Sequence, residues 1–260
     1  LQGNTKESEL ADIYATPEAD LAQGIEGDRA GGNVDDAVAG DFQVDMLDTM
    51  GEAWRGLKGF KLKCHIALVL FFLVFLGAGM LFGVIAAILA GTGADESVIG
   101  VLSLVFQLVI TMLSLPMSYA LLIMAMRHAN GKSVSAGEIF RHFGTIGSLF
   151  VAYLLETILI MIGIVLLILP GIYLMFAYMF AMPLIVEKKM GPWQALETSR
   201  RALTRVWFRF FGFIWLVGLI NVLGVLTLGI AWIWTIPWSI LAMAMVYEKI
   251  FGVEAHTLAD

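Results

Sequence analysis

Leu169-Pro170-Gly171-Ile172-Tyr173-Leu174-Met175-Phe176-Ala177-Tyr178-Met179-Phe180-Ala181-Met182-Pro183-Leu184-Ile185-Val186-Glu187-Lys188-Lys189-Met190-Gly191-Pro192 is the stretch that decides the fold class. A Pro-Gly break opens an apolar run that ends near Pro183, and an acid, two lysines and Gly-Pro follow it. An apolar run between a break and a basic loop reads as a helix returning through a membrane to its cationic face. An amphipathic segment, 192–207, comes next, and Trp207-Phe208-Arg209-Phe210 starts another apolar run. The same order of basic loop, amphipathic segment and apolar helices recurs before and after this stretch.

Composition agrees with that reading. The chain is 59% hydrophobic and 15% charged, with a mean hydropathy of +0.85. Soluble domains carry about 25% charged residues. The charge is unevenly spread: residues 1–50 hold 12 acids and two bases, Lys6 and Arg29, for −10, and residues 51–260 hold 10 acids and 14 bases, for +4. An acidic tail of residues 1–45 therefore precedes a mildly basic membrane domain of residues 46–260. The tail argues against nucleic acid as a partner, which needs a clustered basic face. With few large apolar residues, it is expected to be mostly disordered. The single cysteine, Cys64, reads as a small apolar residue at a helix start. No apolar core precedes residue 64, so no cleaved signal peptide is read.

The pattern predicts an all-α, polytopic membrane protein with six transmembrane helices arranged as three hairpins, each preceded by an amphipathic interfacial helix. The six segments are about 64–90, 98–126 with Pro116, 146–169, 172–186, 207–229 and 230–247 with Pro237. The first amphipathic segment, 47–61, places Leu47, Met50, Trp54 and Leu57 at helical spacing, and Thr49 with Glu52 fits a capping box. The second lies in the loop Arg127 to Thr145, with Ser135 and Glu138 as a capping box. The third, 192–207, has Pro192 suited to its first turn, a stripe of Trp193, Leu196, Leu203 and Trp207, and Glu197 spaced to pair with Arg201.

All the lysines and arginines of the membrane domain fall in alternate loops. The three opposite turns carry only Asp95 and Glu96. The positive-inside rule then places both termini in the cytoplasm, and Trp232 and Trp234 mark the opposite interface. Pro116-Met117-Ser118 echoes Pro237-Trp238-Ser239, and Val186-Glu187-Lys188 echoes Tyr247-Glu248-Lys249. These echoes imply three copies of one unit with pseudo-threefold packing.

Leu169-Pro170-Gly171-Ile172, Pro183-Leu184-Ile185-Val186-Glu187, Lys189-Met190-Gly191 and Ala195-Leu196-Glu197-Thr198-Ser199-Arg200 resemble the YciC-like family of uncharacterised bacterial inner-membrane proteins. They are also similar to the membrane domain attached to some glycerophosphodiester phosphodiesterases. The resemblance covers about 40 residues well and 50–250 loosely. It implies a six-helix protein of the bacterial inner membrane and no established activity. This chain carries no phosphodiesterase domain, so no catalysis is carried over.

Three groups of residues are candidates for function. Glu156 is an acid well inside an apolar segment, a costly placement that marks a functional hypothesis, with Asn221 and Gln107 as its polar partners. The alternative role for Glu156 is to lock helix packing. Arg200, Arg201, Arg205 and Arg209 are placed to hold anionic lipid headgroups. In the tail, Ile13-Tyr14-Ala15-Thr16-Pro17-Glu18 resembles a short motif at the start of various bacterial membrane proteins, and Tyr14, Pro17 and Glu18 are candidate docking residues for a protein partner. His65, His128, His142 and His256 show no metal-ligand spacing, and His128 and His142 are expected at the loop surface. No nucleophile elbow or phosphate loop occurs, so no enzyme, cofactor or metal is expected. The expected function is a non-enzymatic inner-membrane scaffold or accessory subunit that binds partner proteins or anionic lipid. The alternative is a small transporter or lipid-handling protein with a cavity between the hairpins.

Overall fold

The computed structural model describes residues 31–259, and their regular elements are helices. In chain order they are α1 (Val34–Ala39), α2 (Met46–Arg55), α3 (Lys61–Gly91), α4 (Glu96–Ala129), two 3-10 turns (Ala136–Phe140 and Phe143–Thr145), α5 (Ile146–Leu166), α6 (Ile168–Ala177), α7 (Ala181–Lys188), α8 (Pro192–Arg205), α9 (Trp207–Leu226), α10 (Trp232–Phe251) and α11 (Ala255–Leu258). Five helical stretches among the described residues are long and apolar enough to cross a membrane: Lys61–Gly91, Glu96–Ala129, Ala136–Leu166, Ile168–Lys188 and Trp207–Leu226. The protein is a membrane protein by that measure.

The core sits at one end of the bundle. It is built from the second half of α4 from Leu115 onward, from α7, from the second half of α10, and from the inner faces of α2 and α8. Away from this packed end the helices expose Phe72, Leu81, Ile88, Val101, Leu104, Val165 and Leu219. Water would penalise so continuous an apolar surface, and a bilayer favours it.

The amphipathic elements form a collar on the core. α2 packs against α10, the turn Ala136–Phe140 against α4, and α8 against α7. Each therefore rests on a helix that has just returned to the packed end. In α2 the buried face is Met46, Thr49, Met50 and Ala53, while Leu47 and Trp54 point outward. In α8 Leu196 and Leu203 are buried and Trp193 is exposed. Cys64 is fully buried near the start of α3, as its small apolar character predicts.

Several local expectations are corrected. Asp45, not Thr49, caps α2, and its carboxylate accepts from the N–H groups of Leu47 and Asp48 at 2.9 and 3.0 Å. Thr49 and Glu52 instead meet Lys249 of α10, at 3.0 and 2.6 Å. The break before α6 falls at Leu167, which is extended (φ −160°), rather than at Pro170-Gly171. Pro170 sits in the first turn of α6, where a missing N–H costs nothing. The returning segment is itself broken between α6 and α7 at residues 178–180. The Ser135 and Glu138 capping box is present, on a 3-10 turn. The Lys61 ammonium lies 4.9 Å from the Trp234 ring centre, so the start of α3 meets α10 there. α10 is rich in Trp and carries Thr235, Pro237 and Ser239 within a continuous helix.

The helices also differ in reach. Leu68, Phe71, Ser118, Tyr119, Val217 and Ser239 line one cavity and so share a level in the bundle. Beyond that level α3 and α4 continue for about 20 residues, roughly 30 Å, while α9 and α10 continue for about 7–9, roughly 10–14 Å.

Residues 31–45, assigned to the disordered tail from composition, carry structure. Asn33 caps α1 by accepting from the Asp36 N–H at 2.8 Å, and Ala37 is fully buried. The Gly32 N–H donates to the Glu248 carbonyl at 2.9 Å. A Cβ on Gly32 would lie 2.5 Å from the Ile250 carbonyl oxygen, so only glycine permits this approach.

Glycine also sets the tight return from α5 to α6. A Cβ on Gly171 would lie 2.3 Å from Ile164 Cγ1 and 2.8 Å from the Ile164 backbone nitrogen. Gly171→Ala should therefore destabilise the protein by about 1–3 kcal/mol through forced separation of the two helices. Gly77→Ala, with nothing within 4 Å of the added atom, should leave the thermal midpoint unchanged or slightly raised. Melting curves of the two variants in one detergent check the contrast.

Candidate functional site

The intramembrane trio does not assemble. Asn221 donates to the Val217 carbonyl at 2.8 Å and to Ser239 Oγ at 2.7 Å, which ties α9 to α10. The Trp232 indole adds a bond to the Asn221 carbonyl at 2.9 Å. Gln107 is exposed on α4 and contributes only its carbonyl, to Thr111. Glu156 is half-buried on α5, within electrostatic reach of Tyr119 and Tyr178. Among the described residues no hydrogen bond joins Glu156, Asn221 and Gln107. Asn221 lies in a packed seam, the position expected of a helix-locking residue.

The arginines also divide. Glu197 accepts from Arg200 Nε and Nη2 at 2.9 and 2.8 Å and from Arg201 Nε at 2.6 Å. The expected pair with Arg201 is present, and a bidentate pair with Arg200 joins it. Both guanidinium groups are thus already engaged. The Arg205 stem lies beside Gly40, at the end of α1. Arg209, on α9, lines a cavity with Asp45, Met46 and Phe213. The four do not converge on one headgroup. Tyr14, Pro17 and Glu18 lie outside the described residues.

A polar cluster that sequence reasoning missed lies at the packed end. Glu187 is 1% exposed, at the end of α7. Its carboxylate accepts from the Tyr247 hydroxyl at 2.9 Å, the Glu254 N–H at 2.7 Å and the Thr257 hydroxyl at 3.4 Å. Lys188 lies 3.4 Å from Glu187 and 3.0 Å from Glu254. Arg127, buried at the end of α4, donates to the carbonyls of Thr257 and Ala259 at 2.7 and 2.5 Å and faces Glu138 at 3.5 Å. Asn130 donates to Glu248 at 3.0 Å. The cluster docks residues 253–259 onto the ends of α4, α7 and α10. The repeated Glu-Lys pairs at 187–188 and 248–249 were its sequence signal. His128 belongs here and not to loop surface, because its Nε2 is 2.9 Å from the Gly56 carbonyl and its ring stacks on Phe60.

Ser199 solves a second problem. The break at 178–180 leaves backbone groups without helical partners inside the packed end. The buried Ser199 hydroxyl donates to the Ala177 carbonyl at 2.8 Å and accepts from the Phe180 N–H at 3.2 Å. Away from water such groups must be paired within the protein.

An apolar space lies between the returning helices. It measures 470 Å³ and is lined from α3, α4, the α6–α7 junction, α7, α9 and α10. Leu122, Phe180, Pro183 and Ile240 dominate its wall, and Ser118, Tyr119 and Ser239 supply its polar groups. Glu156, Gln107 and Asn221 are not among its lining residues. Among the described residues no group of His, Cys, Asp and Glu stands in metal-binding geometry.

Comparison of the chain with protein-family models, with curated proteins and with solved structures finds no match in any of the three.

Two consequences are measurable. Glu187→Ala strands the Tyr247 hydroxyl and the Glu254 N–H and should cost about 3 kcal/mol. Tyr247→Phe should cost about 1 kcal/mol. Hydrogen exchange should show residues 253–259 released in the first variant and still protected in the second. Separately, the hydrogen bonds from Arg200, with those from Arg201, hold the Glu197 carboxyl down from its ordinary 4.5 to about 2. A carboxyl depressed on folding adds stability above its unfolded pKa and loses it as pH falls through the folded value. The clamp on α8 should thus persist at pH 4 and open only as pH falls to about 2. Carboxyl carbon chemical shifts of Glu197 against pH test this.

Proposed function

We propose that this chain is a non-enzymatic protein of the bacterial inner membrane, a scaffold or accessory subunit that holds membrane lipid between its helical hairpins. The observation that carries the proposal is the 470 Å³ apolar cavity at the junction of the returning helices. Its volume falls within the roughly 300–1,000 Å³ of small-molecule sites. A cavity with so apolar a wall, inside a lipid-facing bundle, favours hydrocarbon over water. An ion or proton path would need charged side chains along it. The apolar lining therefore supports lipid binding over transport of a charged solute.

The membrane arrangement belongs to the same proposal. Three hairpins, α3–α4, α5 with α6–α7, and α9–α10, make six membrane segments that start and end at the packed end. The collar contacts support a pseudo-threefold unit, complete at the packed end and unequal in reach beyond it. With the basic loops gathered at the packed end, the positive-inside rule puts that end and both termini in the cytoplasm. The exposed Leu47, Trp54, Trp193 and Phe208 then lie at headgroup depth, as aromatic and apolar anchors do. The YciC-like resemblance is compatible with this placement. A protein partner engaged through the acidic tail completes the proposal.

Purification in nanodiscs with mass spectrometry of co-purifying lipids and proteins tests it. Lipid should be retained by the natural chain and lost when Leu68→Trp and Met243→Phe fill the cavity. Unchanged retention in a variant that still melts cooperatively would overturn the lipid reading. A stoichiometric protein lost on deletion of residues 1–30 would establish the accessory role.

A further inference from the structure

We propose that the packed end carries a binding site for a phosphoryl group. It occupies a second cavity, of 410 Å³, bounded by four separate parts of the chain: the end of α4, residues 138–145, the end of α7 and the segment 256–259. Arg127, Arg141, His142, Lys189 and His256 line it, and Glu138 is the one acid among its described lining residues.

Among the described lining residues the cationic groups outnumber the one acid. Arg127 faces Glu138 at 3.5 Å and is anchored on the carbonyls of Thr257 and Ala259, so that pair builds the floor. Arg141 and Lys189 remain, both exposed. Among the described residues neither of these two side chains has an ion-pair partner. Cations at helix ends also answer the macrodipole, which accounts for Arg127 and for Lys189. It does not account for Arg141, just after a 3-10 turn, or for two imidazoles from different segments facing the same space. Lys189 adopts φ 55°, a left-handed conformation that disfavours a residue with a Cβ by about 1 kcal/mol.

The ligand class follows from the donor set. A phosphate monoester carries about −1.5 to −2 charges at pH 7 and three strong acceptor oxygens. A guanidinium fork, an ammonium and two imidazoles match that demand better than they match a carboxylate. The cavity leaves room for the group to which the phosphate is esterified.

The two cavities lie along the same helix rows. Tyr119, Ile123 and Arg127 are spaced i, i+4 on α4, and Pro183 and Val186 are spaced i, i+3 on α7, with Lys189 just past its end. The first of each row lines the apolar cavity and the others line the cationic one. Tyr119 and Arg127 are roughly 12 Å apart along the axis. A phospholipid headgroup and a free phosphate compound present the same phosphoryl chemistry here. Only the lipid source rests on the proposed function above.

The test uses the full chain in nanodiscs of phosphatidylcholine. Inorganic phosphate is titrated by calorimetry, and phosphatidic acid doped into the disc is followed by native mass spectrometry. The Arg141→Gln/Lys189→Gln variant should bind at least one probe about tenfold more weakly, with an unchanged melting temperature. The charge-matched control Lys58→Gln/Lys63→Gln should bind as the natural chain does. Loss confined to phosphatidic acid assigns a lipid source, and loss of inorganic phosphate assigns a soluble one. No binding of either probe, equal binding by the variant, or equal loss in the control overturns the site. Lipid retention in the apolar cavity is read from the cavity-filling variants, so one site can fail while the other stands.

Discussion

The carboxylate of Glu187 joins three distant parts of the chain. It ends α7, accepts the hydroxyl of Tyr247 from α10, and accepts the N–H of Glu254 and the hydroxyl of Thr257 from the C-terminal segment. A charge buried this deeply is tolerated only where its oxygens are fully engaged. The surrounding helices supply that engagement, and in return their ends are fixed relative to one another. Because α3, the first half of α4, α5 and α9 expose many of their apolar side chains, lateral contacts hold them only in part. The packed end therefore carries the organisation of the whole bundle.

Around that joint the residues between Leu169 and Arg200 take physical roles. Glu197 clamps two arginines on the outer face of α8. Ser199, on the inner face, closes the gap in the returning helix. Gly171 brings α6 against Ile164 of α5. Each of these roles is structural. The two cavities lie beside this scaffold, one apolar and between the returning helices, one cationic and at the packed end.

The unequal reach of the hairpins follows from composition. α3 and α4 are long and almost uniformly apolar, so nothing within them favours a turn before Gly91 and Gly93. α9 and α10 are shorter, and their tip is held by the Trp232 indole against the Asn221 carbonyl and over Gly224. The contact between Lys61 and Trp234 joins the first hairpin to the third.

Hydropathy and charge by themselves determined the membrane class, the positions of the apolar segments to within a few residues, the basic loops and the local pair of Glu197 with Arg201. These depend on neighbours within a turn of helix, or on averages over about twenty residues, and both are visible in a linear chain. Tertiary structure decided which face of each amphipathic helix is buried, so that Leu47 and Trp54 point outward while Met46 and Ala53 point in. It decided that Asn221 bonds to Ser239 rather than Glu156, that Thr49 and Glu52 meet Lys249 rather than cap α2, and that residues 31–45 are ordered by contact with α8 and α10. It also brought Arg127, Arg141, Lys189 and His256 to one cavity from four parts of the chain. Apolar segments of similar composition do not specify their neighbours. That choice depends on close approach at glycines and on scarce buried polar groups, whose partners lie as many as 200 residues apart, as Thr49 and Lys249 do.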